Sequence, residues 1–330
     1  MHPSLRIIAS GLAAGLLGAC FDFDATMAGG SLDDAGLDAH TDASVTDGSL
    51  LGPDAPGDAT HEAAGDAGSP EASPESSVAD SGGPYCASRT RPDGGIFFCD
   101  DFDEHALPGS WQTWAQMMGT LVETDASAVS PPNSIDETTM PLTSGQVLNA
   151  ALRTPLPVPA VPSTLTFAFS VEPVRIDATA NASIVLGAVD FLDRAGYRYT
   201  VGLSIVVVSG APALELGEQS GLASGGDYPD GAPPLYVNHP LSQTLTLPMN
   251  AWTDIVIELD WAAGSGADAG TTLAGKVTVG GAQPFDVPLT MTLVPQSLQI
   301  GIGTSFVTEY DSGPSPVWEL RYDNVLFTAN

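Results

Sequence analysis

Glu258 and Asp260 stand two residues apart in the run Thr253-Asp254-Ile255-Val256-Ile257-Glu258-Leu259-Asp260-Trp261. Alternate side chains of a strand share a face, so these carboxyl groups are about 6.5 to 7 Å apart by strand rise. Two carboxyl groups about 5 to 5.5 Å apart can cleave a glycosidic bond with retention, one as nucleophile and the other as acid/base. Glu258 and Asp260 are therefore the catalytic candidates of an enzymatic reading, and a solvated acidic strand face is the alternative. A second set suits binding. The stretch 218–240, rich in Gly and Pro, carries Tyr228, Asp230, Tyr236, Asn238 and His239, while Trp111 and Trp114 lie three apart further upstream. Aromatic faces stack on sugar rings, and amides and carboxylates hydrogen-bond their hydroxyls. The competing readings are a loop without a ligand and tryptophans buried in packing. Arg194-Ala195-Gly196-Tyr197-Arg198-Tyr199 is the one place where base and aromatics interleave, either as a ligand patch or as a hairpin turning at 193–196. No G-x-S-x-G elbow, P-loop, H-E-x-x-H, C-x-x-C or His-x-x-x-His occurs, which removes the common hydrolase, nucleotide and zinc readings.

The elements that must position these residues are strands. From Tyr85 onward the sequence alternates short apolar runs with Pro, Gly, Asn and Asp, the pattern of many strands and tight connections. Strands are predicted over 96–103, 120–124, 146–154, 163–171, 183–191, 197–208, 213–217, 243–247, 252–261, 273–279, 285–289, 297–306 and 318–328. Only 109–118 suggests a short helix or an ordered loop. The expectation is an all-β, two-sheet antiparallel sandwich over residues 85–330. In 253–261 the residues Ile255, Ile257, Leu259 and Trp261 face the core, and Asp254, Val256, Glu258 and Asp260 face away. In 297–306 Leu298, Ile300 and Ile302 share one face, while Gly301 and Gly303 on the other let something approach the backbone closely.

The chain carries 40 acidic and nine basic residues in 330, a formal charge of -31. That argues against nucleic acid or an anionic bilayer surface as partner and disfavours polyanionic sugars. Residues 21–84 hold fourteen acids and no Lys or Arg among Ala, Gly, Ser, Thr and Pro. Such a composition cannot bury enough apolar surface to offset ordering. It reads as a disordered tether spanning roughly 40 to 48 Å. At the other end of it, Arg6, the apolar run 7–17 and Gly18-Ala19 form a short secretory signal. Leu17-Gly18-Ala19-Cys20 resembles the bacterial lipobox. The resemblance implies loss of residues 1–19, lipidation of Cys20, and a lipid-anchored protein of the cell envelope, on the outer membrane. Cys86 and Cys99 then remain as an even pair outside the cytosol and are expected to be bridged. The organisation is thus 1–19 signal, 20–84 linker, 85–330 sandwich.

Phe98-Cys99-Asp100-Asp101-Phe102-Asp103, Ser130-Pro131-Pro132-Asn133-Ser134, the strand 252–261 and Tyr322-Asp323-Asn324-Val325 occur in the order found in the concanavalin A-like lectin/glucanase superfamily, and the folded part resembles its LamG-like jelly rolls. The resemblance implies two curved sheets whose concave face or rim loops often bind saccharide. It also implies a structural calcium ion near the first and last strands, for which Asp100, Asp101, Asp103 and Asp323 are available. The alternative is that these acids cap strand ends. In the glucanase branch the catalytic strand reads E-x-D-x-E or E-x-D-x-x-E. Here Glu258-Leu259-Asp260 gives the first half, and Ala262 and Ala263 stand where the second acid belongs. A lyase of this fold would need a Tyr or His base and cations for a uronate. The leading expectation is a monomeric, membrane-anchored module displaying a lectin-like or adhesion domain for a neutral glycan. A glycan-active enzyme and a structural envelope protein are the alternatives.

Overall fold

The computed structural model describes residues 84–330 except 104–105, 142–146, 159–161, 178–181, 193–196, 209–210, 223–234, 242–246, 263–271, 293–295 and 308–316. The signal, Cys20 and the linker lie outside the described residues. Two antiparallel sheets face each other. In order across the first sheet run β13 (Phe285–Thr292), β12 (Thr272–Val279), β11 (Thr253–Ala262), β6 (Thr164–Ile176), β15 (Trp318–Ala329), β4 (Ser134–Thr139) and β3 (Gly119–Thr124). β1 (Ile96–Asp100) continues the β4 edge by pairing with the second half of β15. The second sheet runs β10 (Leu235–Pro240), β9 (Ala211–Leu222), β8 (Tyr197–Val208), β7 (Ala182–Leu192), β14 (Ser297–Val307), β5 (Val147–Pro157) and β2 (Thr113–Met117). One four-residue helix, α1 (Pro84–Ala87), precedes β1.

Alternation sets the core. Ile255, Ile257 and Leu259 of β11 are fully buried, as are Leu298, Ile300 and Ile302 of β14. Between the sheets Phe167, Phe169, Tyr322 and Phe327 form an aromatic cluster with ring centroids 5.3 to 6.4 Å apart, each ring contributing about 2 to 3 kcal/mol by burial. A small second core sits around β1: the Cys86–Cys99 disulfide, with Cα atoms 5.7 Å apart, packs against Phe97, Tyr85 and Leu326 and fastens α1 to the sandwich.

The structure corrects three expectations. Half of the stretch 109–118 is neither helix nor loop, because Thr113–Met117 forms the edge strand β2 beside β5. The supposed loop 218–240 begins and ends in strand: residues to Leu222 complete β9, and Leu235–Pro240 pairs with it as β10. β4, short and rich in Asp, Glu and Thr, was not predicted. It is held because Ile135, Glu137 and Thr139 point inward.

The Glu137 side chain enters the core. Glu137 Oε1 accepts the Thr304 N–H at 3.0 Å, joining β4 of one sheet to β14 of the other. Burial pushes its carboxyl up to about 8, since the low-dielectric interior disfavours the ion.

Candidate functional site

The outward face of the second sheet is polar and, unusually for a face turned from the core, buried at its centre. Side chains there follow from register, since cross-strand partners share a face. Asn238, Gly217, Gly202, Ala188, Gly301 and Arg153 are successive partners on β10, β9, β8, β7, β14 and β5. At about 4.8 Å per strand, the distance from Gly217 to Arg153 is roughly 19 Å. The result is a lane of small residues closed by a guanidinium at one end and an amide at the other. Gln219, Thr200, Asp190 and Gln299 form the neighbouring row on one side. Asp190 accepts the Thr200 hydroxyl and pairs with Arg198 Nε at 3.3 Å. On the other side stand Pro240, Glu215, Ser204 and Val185.

The lane is low because its residues lack bulk, and Arg153 uses that space. A Cβ at position 301 would lie 3.1 Å from Arg153 Cγ, so the arginine stem crosses β14 only over a glycine. Gly303, next along that strand, has φ +91°. A Cβ there would stand 2.3 Å from the Ala150 carbonyl oxygen. The close approach expected at Gly301 and Gly303 is therefore made by the protein itself, by the Arg153 stem and the β5 backbone.

On the interior side of the same sheet, the fully buried Glu218 carboxylate accepts the Tyr199 hydroxyl at 2.6 Å and meets His239 Nε2. This ties β10 to β9 and so fixes Asn238 over the lane's end.

Residues singled out from sequence are scattered over the molecule. Glu258 and Asp260 lie on the outward face of the first sheet. Asp260 is 46% exposed and 3.8 Å from Lys276, and Glu258 is the cross-strand partner of Lys276. They are a solvated acidic strand face, away from the lane. Trp111 is a correction: it belongs to the apolar core between the sheets and packs edge-on against Phe98 at 4.9 Å, so its ring faces other core side chains and not a sugar. Trp114 belongs to β2 and Tyr236 to β10, the latter in register with Gln219. Tyr228 and Asp230 lie outside the described residues, as does the turn 193–196. Of the binding residues expected from sequence, Asn238 alone among the described residues is placed at the lane. Arg198 was noticed as part of a basic and aromatic run. Arg153, Asp190, Ser204 and Glu215 were missed, and the polar positions within otherwise apolar strands were the available signal.

The acids proposed for calcium are engaged with the main chain. Asp101 accepts the Cys86 N–H at 3.1 Å, Asp103 that of Asn133 at 3.0 Å, and Asp100 that of Phe102 at 2.9 Å. Asp323 accepts from Val129, Ser130 and Asn324 at 2.7 to 2.9 Å, and burial nonetheless pushes its carboxyl up to about 7. Among the described residues no three His, Cys, Asp or Glu side chains converge where a metal could be held. These bonds anchor the strand ends to the neighbouring main chain.

No family model and no curated protein matches the sequence. Solved structures do match in fold. An endo-β-1,4-glucuronan lyase from the fungus Trichoderma reesei aligns with a TM-score of 0.52 at 15% identity, over 71% of this chain and 95% of that one. An alginate lyase from a Chlorella virus gives 0.48 at 12%, over 67% and 94%. An endo-1,3-β-glucanase from Streptomyces sioyaensis gives 0.40 at 14%, over 73% and 99%. The two-sheet antiparallel sandwich is thus a fold shared with the glucuronan lyase. The leading functional expectation, a lectin-like or adhesion role, is corrected by the match to the glucuronan lyase, which favours the glycan-active alternative.

Proposed function

We propose that this chain is a glycan-active enzyme that works on the outward face of the second sheet, and that its reaction is eliminative cleavage of a uronate-bearing polysaccharide. The observation that carries this reading is the lane of small residues ending at Arg153. Elimination passes the proton beside a uronate carboxylate to a base, a role open to water. It forms a carbon–carbon double bond and expels the glycosidic oxygen, which takes up a proton from solvent. The carboxylate's own charge opposes the first event. A guanidinium set against that carboxylate disperses the charge and offers two parallel donors to it. Arg153 is the candidate for this role. The acidic composition is no obstacle, because fourteen of the 40 acids lie in residues 21–84 and exposed charges beyond about 8 Å are screened at physiological salt. The fold match to the glucuronan lyase supports the same class. Anchoring through Cys20 at the cell envelope forms part of the proposal. It predicts a lipidated mature amino terminus by mass spectrometry.

The test incubates the full chain, disulfide oxidised, with β-1,4-glucuronan, alginate and a neutral β-glucan. Ultraviolet absorbance follows unsaturated ends, and a reducing-end assay runs beside it. The expected result is absorbing product from a uronate polymer, reduced about 100-fold or more in Arg153→Met. Reducing ends without absorbance would replace elimination with hydrolysis, and no turnover of any polymer would overturn the enzymatic reading.

A further inference from the structure

Ser204 of β8 and Glu215 of β9 are direct cross-strand partners. Each alternates with buried core residues, Leu203 and Ile205 on one strand and Leu214 and Leu216 on the other, so both side chains stand on the outward face beside the lane. Ser204 is 2% exposed, and neither its Oγ nor Glu215 Oε2 has a hydrogen-bond partner although both atoms are buried. The surroundings supply none. Val185 flanks Ser204, Pro240 flanks Glu215, Gly202 and Gly217 form the adjoining row, and Val206 and Ala213 the row beyond. Of the ionisable groups on these strands, Glu218 and His239 face the interior and pair with each other, and Asp190 and Arg198 stand two and three rows away across the lane and pair likewise. Two adjacent unsatisfied oxygens within an otherwise apolar neighbourhood are unfavourable for folding alone and call for a partner from above the sheet.

The chemistry of that partner follows from the pair. A carboxylate and a serine hydroxyl can accept two sugar hydroxyls and donate one hydrogen bond, but they repel a second carboxylate. Burial already pushes the Glu215 carboxyl above its ordinary range, and an approaching anion would oppose its charge further. Arg153, at the opposite end of the lane, has the reverse preference. We infer that the lane reads a mixed polysaccharide, with a uronate at the Arg153 end and a neutral, hydroxyl-bearing sugar at the Ser204 and Glu215 end. The inference rests on the glycan-active reading and specifies its substrate class.

The experiment compares kcat/KM of the full chain on β-1,4-glucuronan, a uronate homopolymer, with that on a polymer in which glucuronate alternates with neutral hexose. The wild type should favour the alternating polymer by about tenfold. Glu215→Gln keeps the shape and removes the charge. It should raise kcat/KM on the homopolymer about tenfold and lower it several-fold on the alternating polymer, whose sugar hydroxyl loses a charged acceptor, so that the preference reverses. Because the expected effect is a gain, misfolding cannot imitate it. Ser204→Ala, should Glu215→Gln fail to fold, is expected to raise KM on the alternating polymer several-fold with kcat unchanged. An unchanged preference in Glu215→Gln, or an unchanged KM in Ser204→Ala where that variant decides, overturns the inference while leaving the enzymatic reading intact. Failure of the wild type to cleave either polymer overturns both.

Discussion

Replacing Glu137 by Gln should make the protein more stable at neutral pH, and the gain should grow with pH. The carboxyl is fully enclosed between the sheets. Oε1 accepts the Thr304 N–H, Oε2 has no partner, and the Tyr322 hydroxyl lies close by. Burial pushes its titration from an ordinary value of 4.5 to about 8. Below 4.5 the group is protonated in both folded and unfolded chains and contributes no pH dependence. Between 4.5 and about 8 the unfolded chain releases the proton while the folded chain keeps it, so stability falls as pH rises, by about 1.4 kcal/mol per pH unit. The whole interval amounts to about 5 kcal/mol, of which about 3 is already lost at neutral pH. Gln has the same shape, can accept the Thr304 N–H and never ionises. Guanidinium unfolding midpoints of both proteins, measured at about pH 5, 7 and 8.5 with the disulfide intact, isolate this group because every other acid titrates alike in the two. The expected pattern is near equality at the acid end and a Gln advantage of about 3 kcal/mol at neutral pH, larger still in alkali. Parallel pH profiles, or a Gln variant weaker throughout, would refute the assignment of a proton to Glu137.

Gly303→Ala combines a φ of +91° with a Cβ 2.3 Å from the Ala150 carbonyl oxygen, and a loss of more than about 3 kcal/mol in chemical denaturation is expected. Gly301→Ala should cost about 1 kcal/mol, because its Cβ would meet the Arg153 stem at 3.1 Å and the Leu152 carbonyl oxygen at 3.3 Å, both needing only a few tenths of an ångström of adjustment. It should also weaken polysaccharide binding several-fold, read by isothermal titration. Asp323→Asn turns an amide N–H₂ toward the backbone donors of Val129, Ser130 and Asn324. Its thermal midpoint should drop in keeping with a loss of about 2 kcal/mol, while a variant as stable as wild type would show that those bonds do not hold the 125–133 segment to β15.

Strand 253–261 shows what was legible from sequence: strict alternation located Ile255, Ile257 and Leu259 in the core and sent Glu258 and Asp260 outward. The Cys86–Cys99 bridge followed from counting. What alternation leaves open is the environment of the outward face, since period two separates two sides without saying which of them is water. Glu258 and Asp260 drew attention because two acids lie on one strand, yet their side is solvated. The lane belongs to residues from six strands, so no local window contains it. Asn238, Gly217, Gly202, Ala188, Gly301 and Arg153 become a row only once the register from β10 to β5 is fixed. The signal in each strand was a residue that breaks an apolar run without being exposed: Arg153 in β5, Asp190 in β7, Ser204 in β8 and Glu215 in β9. A sheet buried on one side tolerates polar residues freely on the other. One that shelters them on both sides incurs desolvation at every such position, and Ser204 and Glu215 remain unsatisfied despite it. That unrecovered cost ties the outward face of the second sheet to a ligand and leaves the better-patterned acids of the first sheet to the solvent.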